Sequence, residues 1–339
     1  MIERWISNDL TLKRWRRFKK LKRAMISVWI FAFLLFLSVT AEMWANSSPI
    51  VMSYQGKIYF PVYKYYHPAE FGQTFGAITD YRNLDWEASG NWALWPLVPW
   101  NPRESNPDVD IYPGPPSGQN WFGTDDRGRD VLARLIYGFR YSIGFALLVW
   151  LSAYTVGVIA GALMGFAGGL TDLLGQRLVE VIESMPFLII LITLVSIFGA
   201  SLTVLVLLMT FFSWVGISAY MRAEFLKLRK REFVEAARSQ GVGTGRIIFK
   251  HILPNGLSPL ITFSPFFIAS NISVLAILDY LGFGLPPPTP SWGELLQQAQ
   301  AHFTIAWWLA VFPSAAMIIT LTSLNLIGEG IREAFDPRK

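Results

Sequence analysis

Charged residues are spaced very unevenly along the chain. Five stretches lack Asp, Glu, Lys and Arg altogether: 24–41, 141–171, 184–221, 251–278 and 295–328, of 18, 31, 38, 28 and 34 residues. A helix rises about 1.5 Å per residue and needs about 20 apolar residues to cross the hydrocarbon core of a bilayer. Each run is therefore read as membrane-crossing. The 38-residue run is too long for one helix and long enough for two, with a tight turn predicted at Phe198-Gly199-Ala200-Ser201. The pattern predicts six spans, near 25–45, 143–167, 184–199, 202–221, 257–281 and 306–327. The chain divides into a basic head (1–23), a first transmembrane helix (24–45), a lobe outside the membrane (46–140) and a five-helix core (141–339) whose loop at 222–256 stands out.

Composition agrees. The chain is 53% hydrophobic and 16% charged, with 14 Trp and 25 Phe, against about 25% charged in soluble domains. The absence of Cys removes disulfides, thiolate metal sites and Cys nucleophiles together. In the first apolar run, 18 uncharged residues follow a 23-residue head. That is long for a signal peptide, so a retained anchor helix is expected.

Lys and Arg in loops stay on the cytoplasmic side. Six spans put both termini on one side, and the segments on that side hold 21 of the 29 basic residues. The other eight lie between Lys57 and Arg140, and the last outer loop, 283–305, has none. Both termini are expected in the cytoplasm. The basic head from Lys13 to Arg23 is read as orienting the first helix and touching anionic membrane lipid, not as a nucleic-acid site.

The 46–140 lobe carries ten prolines and short strand-like runs such as Lys57-Ile58-Tyr59-Phe60. It is read as irregular, with one or two hairpins. Two roles stand side by side: capping the outer mouth against an extracytoplasmic partner, or packing on its own helices.

No catalytic pattern emerges. The chain has no G-x-x-x-x-G-K-[ST], H-E-x-x-H or G-x-S-x-G. Gly241-Val242-Gly243-Thr244-Gly245 lacks the spacing of a dinucleotide cradle and reads as a turn. His67, His251 and His302 are scattered without metal-ligand spacing. Asp279 is an acid inside a nominally apolar span, close to its outer end, where water is expected to reach it. Gly157, Gly161 and Gly165 put small residues on one helix face, a pattern that lets helices approach closely.

The basic loop after the fourth span reads as ordered. Glu232 to Gln240 is rich in helix formers, and Phe233, Ala236 and Ala237 fall at i, i+3 and i+4, on one predicted face. Gly241 is the residue type that ends helices in a left-handed conformation. A second helix is predicted over about 244–251, interrupted by Pro254. A short helix anchored at both ends between two spans would act as a lever if a partner pushed on it.

Glu235-Ala236-Ala237, with Gly241 and then Leu253-Pro254, resembles the EAA motif of ABC-importer permeases. His251 in His251-Ile252-Leu253-Pro254-Asn255 resembles the oligopeptide and dipeptide branch. Three further stretches are similar to that branch: Trp121 to Arg134, Leu281 to Gly293, and Asn325 to Arg338. The long outer lobe, Leu275 and Asp279 depart from its usual pattern and resemble the Yej-type permeases, the subunit-E type of microcin C and oligopeptide importers.

The resemblance implies an all-α membrane protein of the MetI-like permease fold, with about six transmembrane helices. It implies a second, different permease subunit forming a heterodimer, two ATPase subunits or one tandem ATPase, and an extracytoplasmic peptide-binding protein. The site is the bacterial inner membrane, with no cofactor and no enzymatic activity of the chain's own. By the resemblance, Glu235 pairs with polar groups of the ATPase, Ala236 and Ala237 fit its groove, and Gly241 permits the turn. His251, Leu253 and Pro254 complete the motif. Gly241→Asp or Ala237→Glu is then expected to uncouple uptake while leaving the protein inserted. The competing reading, a self-sufficient secondary transporter using Asp279, predicts more intramembrane acids and internal repeats, which the sequence lacks.

Overall fold

The computed structural model describes residues 9–74, 76 and 78–336. Arg4 of the basic head, and Pro337 and Arg338 of the terminal motif, lie outside the described residues. The chain starts with a basic helix α1 (Asp9–Lys20), then α2 (Lys22–Val39) and the short α3 (Ala41–Trp44). Strands β1 (Val51–Tyr54), β2 (Lys57–Tyr59) and β3 (Trp92–Leu94) follow in the lobe. Next come α4 (Val131–Ala167), α5 (Gly169–Glu183), α6 (Phe187–Phe198), α7 (Leu202–Leu228) and α8 (Glu232–Ser239). Then α9 (Thr244–Arg246), a π-helical turn (Ile247–Ile252) and α10 (Leu253–Gly256) lead into α11 (Ser258–Tyr280). The short α12 (Trp292–Ala301) and the long α13 (Trp307–Phe335) close the chain.

Among the described residues, α2, α4, α7, α11 and α13 are each long and apolar enough to cross a membrane. The expected third span is different. Helix α6 has 12 residues, too few to cross alone at 1.5 Å per residue, and it meets α5 at a bend of 79°. The bend falls at Ser184-Met185-Pro186, where proline at the helix start stops α5 from running on. Counted as one crossing, the bent pair is the sixth.

Helix α4 begins at Val131, before the uncharged run that starts at 141. The Asp130 carboxylate caps it, accepting from the Ala133 N–H at 2.8 Å. Arg134 and Arg140 look like loop charges in the sequence but lie in the helix, because each has an acidic partner: Glu294 and Glu42.

Packing centres on α4. Its glycine stripe lies against α7: a Cβ at Gly157 would come 2.7 Å from the Trp214 carbonyl, and one at Gly165 2.6 Å from the Arg222 carbonyl. No side chain fits there, so the backbones meet directly. The N-terminal half of α4 packs with α11, α12 and α13 around Leu135, Phe139, Ile272, Trp292 and Trp308.

In the lobe, β1 pairs with β2 on one side and β3 on the other, both antiparallel, with Met52 opposite Tyr59 and Ala93. Gln55 and Gly56, at φ of 50° and 75°, make the two-residue hairpin turn. Tyr54, Phe71, Tyr81 and their ring neighbours form an aromatic core of its own, with Tyr59 and Phe71 edge to face at 5.1 Å. The lobe also packs on its own helices, through Val98 and Trp100 against Ala133.

Candidate functional site

The loop between α7 and α11 is a folded layer. Helix α8 begins at Glu232 with Glu232 and Glu235 in its first turn and Arg238 in its last, matching the helix dipole at both ends. Val234 and Ala237, three residues apart, are 0% and 6% exposed. They pack with Met221 and Phe225 of α7 and with Ile247 and Ile252 of the π-turn. The predicted face of Phe233, Ala236 and Ala237 is thus divided. Ala237 turns inward, while Phe233 and Ala236 face outward beside Glu232 and Glu235. Phe233 is 41% exposed, a large aromatic ring outside any core.

The turn after α8 follows the expectation for Gly241. Its φ is 76°, the Gly241 N–H donates to the Arg238 carbonyl, and the Val242 N–H reaches the Ala237 carbonyl at 3.0 Å. Val242 then packs on the same core as Ala237. Beyond it, the predicted helix continues past Pro254 instead of stopping there. Proline has no N–H and its ring crowds the carbonyl four residues back. The widened π-turn accommodates this: the Leu253 N–H bonds to the Ile248 carbonyl, five residues back. The Asn255 side-chain amide satisfies the His251 carbonyl at 2.7 Å. His251 and Leu253 are half-buried and Pro254 is exposed.

Two arginines tie this layer to α4. Arg229 donates to the Gly165 and Phe166 carbonyls at 3.1 Å, serving groups that the end of α4 leaves unpaired. Arg238 of α8 lies over the Phe166 ring at 5.6 Å. Helix α8 is thus packed in one cluster with α7, the π-turn and Leu260 of α11, and bridged to α4 by Arg238.

The opposite end of α4 holds a buried charge network. Arg129 bonds Asp125 at 2.6 Å and Glu294 at 3.0 Å, and Arg134, 0% exposed, reaches the other Glu294 oxygen at 2.5 Å. Asn120 donates to Asp130 at 2.8 Å. Burial pushes the Asp130 carboxyl above its usual range, against the opposing hydrogen bonds from Ala133 and Asn120. Trp308 of α13 donates to the Thr124 carbonyl, and Trp292 of α12 to the Leu135 carbonyl, both at 3.0 Å. The stretch 121–135 thus forms one clamp with α12 and the start of α13.

Asp279 belongs to the same end and is not wet, as the sequence suggested, but 6% exposed. Its oxygens accept from the Ser291 hydroxyl at 2.5 Å and the Leu285 N–H at 2.7 Å. It pins the loop between α11 and α12. Among the described residues no His, Asp or Glu cluster is arranged to hold a metal.

Residues 157–339, more than half the chain, match the family model described as binding-protein-dependent transport system inner membrane component. The chain belongs to this family. Residues 12–64 match the N-terminal transmembrane domain of oligopeptide transport permease C. The permease is 41% identical to the peptidoglycan transport system permease protein YejE of Agrobacterium fabrum, over 99% of this chain and 94% of that one. It is also 41% identical to the inner membrane ABC transporter permease protein YejE of Escherichia coli, over 96% of each. Identity to the oligopeptide transport system permease protein OppC of Haemophilus influenzae is 35%, over 70% of this chain and 75% of that one.

The permease is therefore a multi-pass inner-membrane subunit of an ABC importer for peptides, and such a subunit is not itself an enzyme. All seven residues of its EAA pattern, Glu235, Ala236, Ala237, Gly241, His251, Leu253 and Pro254, lie in the single layer between α7 and α11. Sequence reasoning missed Val234, which shares the inward face with Ala237, and Glu294, which joins the two arginines. Glu294 had a signal: it is the one acid between Asp279 and the apolar run starting at 295.

Proposed function

We propose that this chain is one of two different permease halves lining the path of an importer for oligopeptides or peptide-like compounds of the microcin C type, with both termini in the cytoplasm. Two ATPase subunits, or one tandem ATPase, drive it from the cytoplasmic side, and an extracytoplasmic peptide-binding protein delivers the solute to the lobe side. The observation that carries the coupling role is the split of α8. Val234 and Ala237 seat it on the spans, and Glu232, Phe233, Glu235 and Ala236 are left outward. Phe233 and Ala236 enter the ATPase cleft, Glu235 pairs with polar groups at its rim, and Gly241 sets the turn that returns the chain to α11. Ala237 supports the helix from behind. The names of the relatives support a peptide-bearing solute: one is an oligopeptide permease, another a peptidoglycan permease.

Pull-down of the tagged chain in mild detergent, with mass spectrometry of the eluate, tests the assembly. Recovery of an ATPase and a second permease is expected. Recovery of this chain alone, still active in peptide uptake, would refute the reading.

A further inference from the structure

A cavity of about 740 Å³ lies where α1 meets the ends of α11 and α13, within the size range of ligand clefts, roughly 300–1,000 Å³. Its walls are largely apolar, with Phe18 and Val28 on one side and Ile261, Ile327 and Ile331 on the other. Its polar edge carries Arg14, and Pro254 and Asn255 of the loop complete the lining.

The walls are well anchored. Arg14 lies 4.1 Å over the Phe335 ring, and Arg17 donates to the Asp336 carbonyl at 3.1 Å. Gly330 lets α13 approach so closely that a Cβ there would stand 2.9 Å from the Phe18 ring. Helix α1 is amphipathic, with Phe18 buried and Lys13, Arg16, Arg17, Lys19 and Lys20 exposed. It sits directly before α2, which is long and apolar enough to cross a membrane. The acids at the end of α13, Glu329 and Glu333, line a neighbouring cavity with Asp336 and are not part of this one.

We infer that this cavity is a binding site for one anionic phospholipid, its acyl chain between α1, α11 and α13 and its phosphate at Arg14. The charge complementarity decides the occupant. A basic amphipathic helix at the mouth of an apolar cleft, beside a spanning helix, matches a lipid that is anionic at one end and apolar at the other. The Arg guanidinium suits the phosphate better than any other group on the rim. A lipid here also braces Pro254 and Asn255. That consequence rests on the proposed coupling role of the loop, whereas lipid binding does not, so the two are measured separately.

The test uses the purified full-length chain, titrated in detergent with phosphatidylglycerol or phosphatidylcholine of the same acyl chains and followed by native mass spectrometry. One retained phosphatidylglycerol per chain is expected, favoured over phosphatidylcholine by about fivefold or more, the weight of a single cation near an anionic surface. Arg14→Gln should remove that preference, and Val28→Trp, which fills the cavity, should abolish retention of either lipid. Equal retention of the two lipids by the native chain would overturn the proposal, as would unchanged selectivity in Arg14→Gln together with unchanged retention in Val28→Trp. Retention by the isolated chain but not by the assembled transporter would give the cavity to a neighbouring subunit and equally overturn it.

Discussion

The guanidinium of Arg134, in the first turn of α4, meets the Glu294 carboxylate of α12 at 2.5 Å across 160 positions of sequence. Arg134 is 0% exposed, and Glu294 is shared with Arg129. Breaking a buried pair by removing one partner leaves an uncompensated charge and costs about 3–5 kcal/mol. Glu294→Ala should therefore lower the thermal midpoint of the purified protein by several degrees or prevent its accumulation. The exposed pair Arg177–Glu180 is the control, since such pairs contribute about 0–1 kcal/mol. Equal midpoints for Glu294→Ala and Arg177→Ala would show that the clamp does not hold this end of α4 in place.

The contact of α4 with α7 makes a second prediction. A Cβ at Gly161 would meet the Ser218 carbonyl and lie 2.7 Å from the Met221 Cβ, with backbone on one side that cannot swing away. Gly161→Leu should force the two helices apart, costing about 1–3 kcal/mol or more. Protease protection in membranes reads this out, with Gly216→Leu as the comparison because a Cβ there meets nothing within 4 Å. Similar protection of both variants would contradict direct backbone packing.

Much of this was legible in the sequence, and the failures have physical causes. The uncharged runs located five of the spans because hydrocarbon excludes unpaired charge, and Gly157, Gly161 and Gly165 announced a close helix contact. The start of α4 was hidden because Arg134 and Arg140 carry partners, Glu294 and Glu42, from distant parts of the chain. The facing of α8 was hidden because Phe233 and Val234 are adjacent and both apolar. Periodicity alone cannot choose between two such neighbours, and the core supplied by Phe225, Ile247 and Ile252 makes the choice. The bend between α5 and α6 depends on Pro186, which the apolar run concealed.

Acidity should loosen the junction of α3 with α4. Hydrogen bonding from Arg140 chiefly holds the Glu42 carboxyl below its ordinary value of 4.5. A carboxylate whose pKa is depressed by folding contributes stability that is present above the unfolded value and lost as pH falls through the folded one. The difference in thermal midpoint between the native protein and Glu42→Gln should be largest near neutral pH and shrink below 4.5. A difference independent of pH would contradict the pairing.

Asp279 serves as a tether in this account. Asp279→Asn keeps an oxygen acceptor for the Ser291 hydroxyl or the Leu285 N–H, so peptide uptake should fall modestly at most. Complete loss of uptake in an inserted, assembled protein would mean that the carboxylate carries protons.

The central claim is that the outward face of α8 is the coupling surface. The natural absence of Cys allows a single cysteine to be placed at will. Ala236→Cys and Ala237→Cys differ by one position and in burial, since Ala237 is 6% exposed and packed on the core while Ala236 is exposed. In the assembled transporter, a short bifunctional cross-linker should join Ala236→Cys to the ATPase and leave Ala237→Cys unlinked. A cross-link from Ala237→Cys with none from Ala236→Cys, or no cross-link to an ATPase from either, would contradict the account.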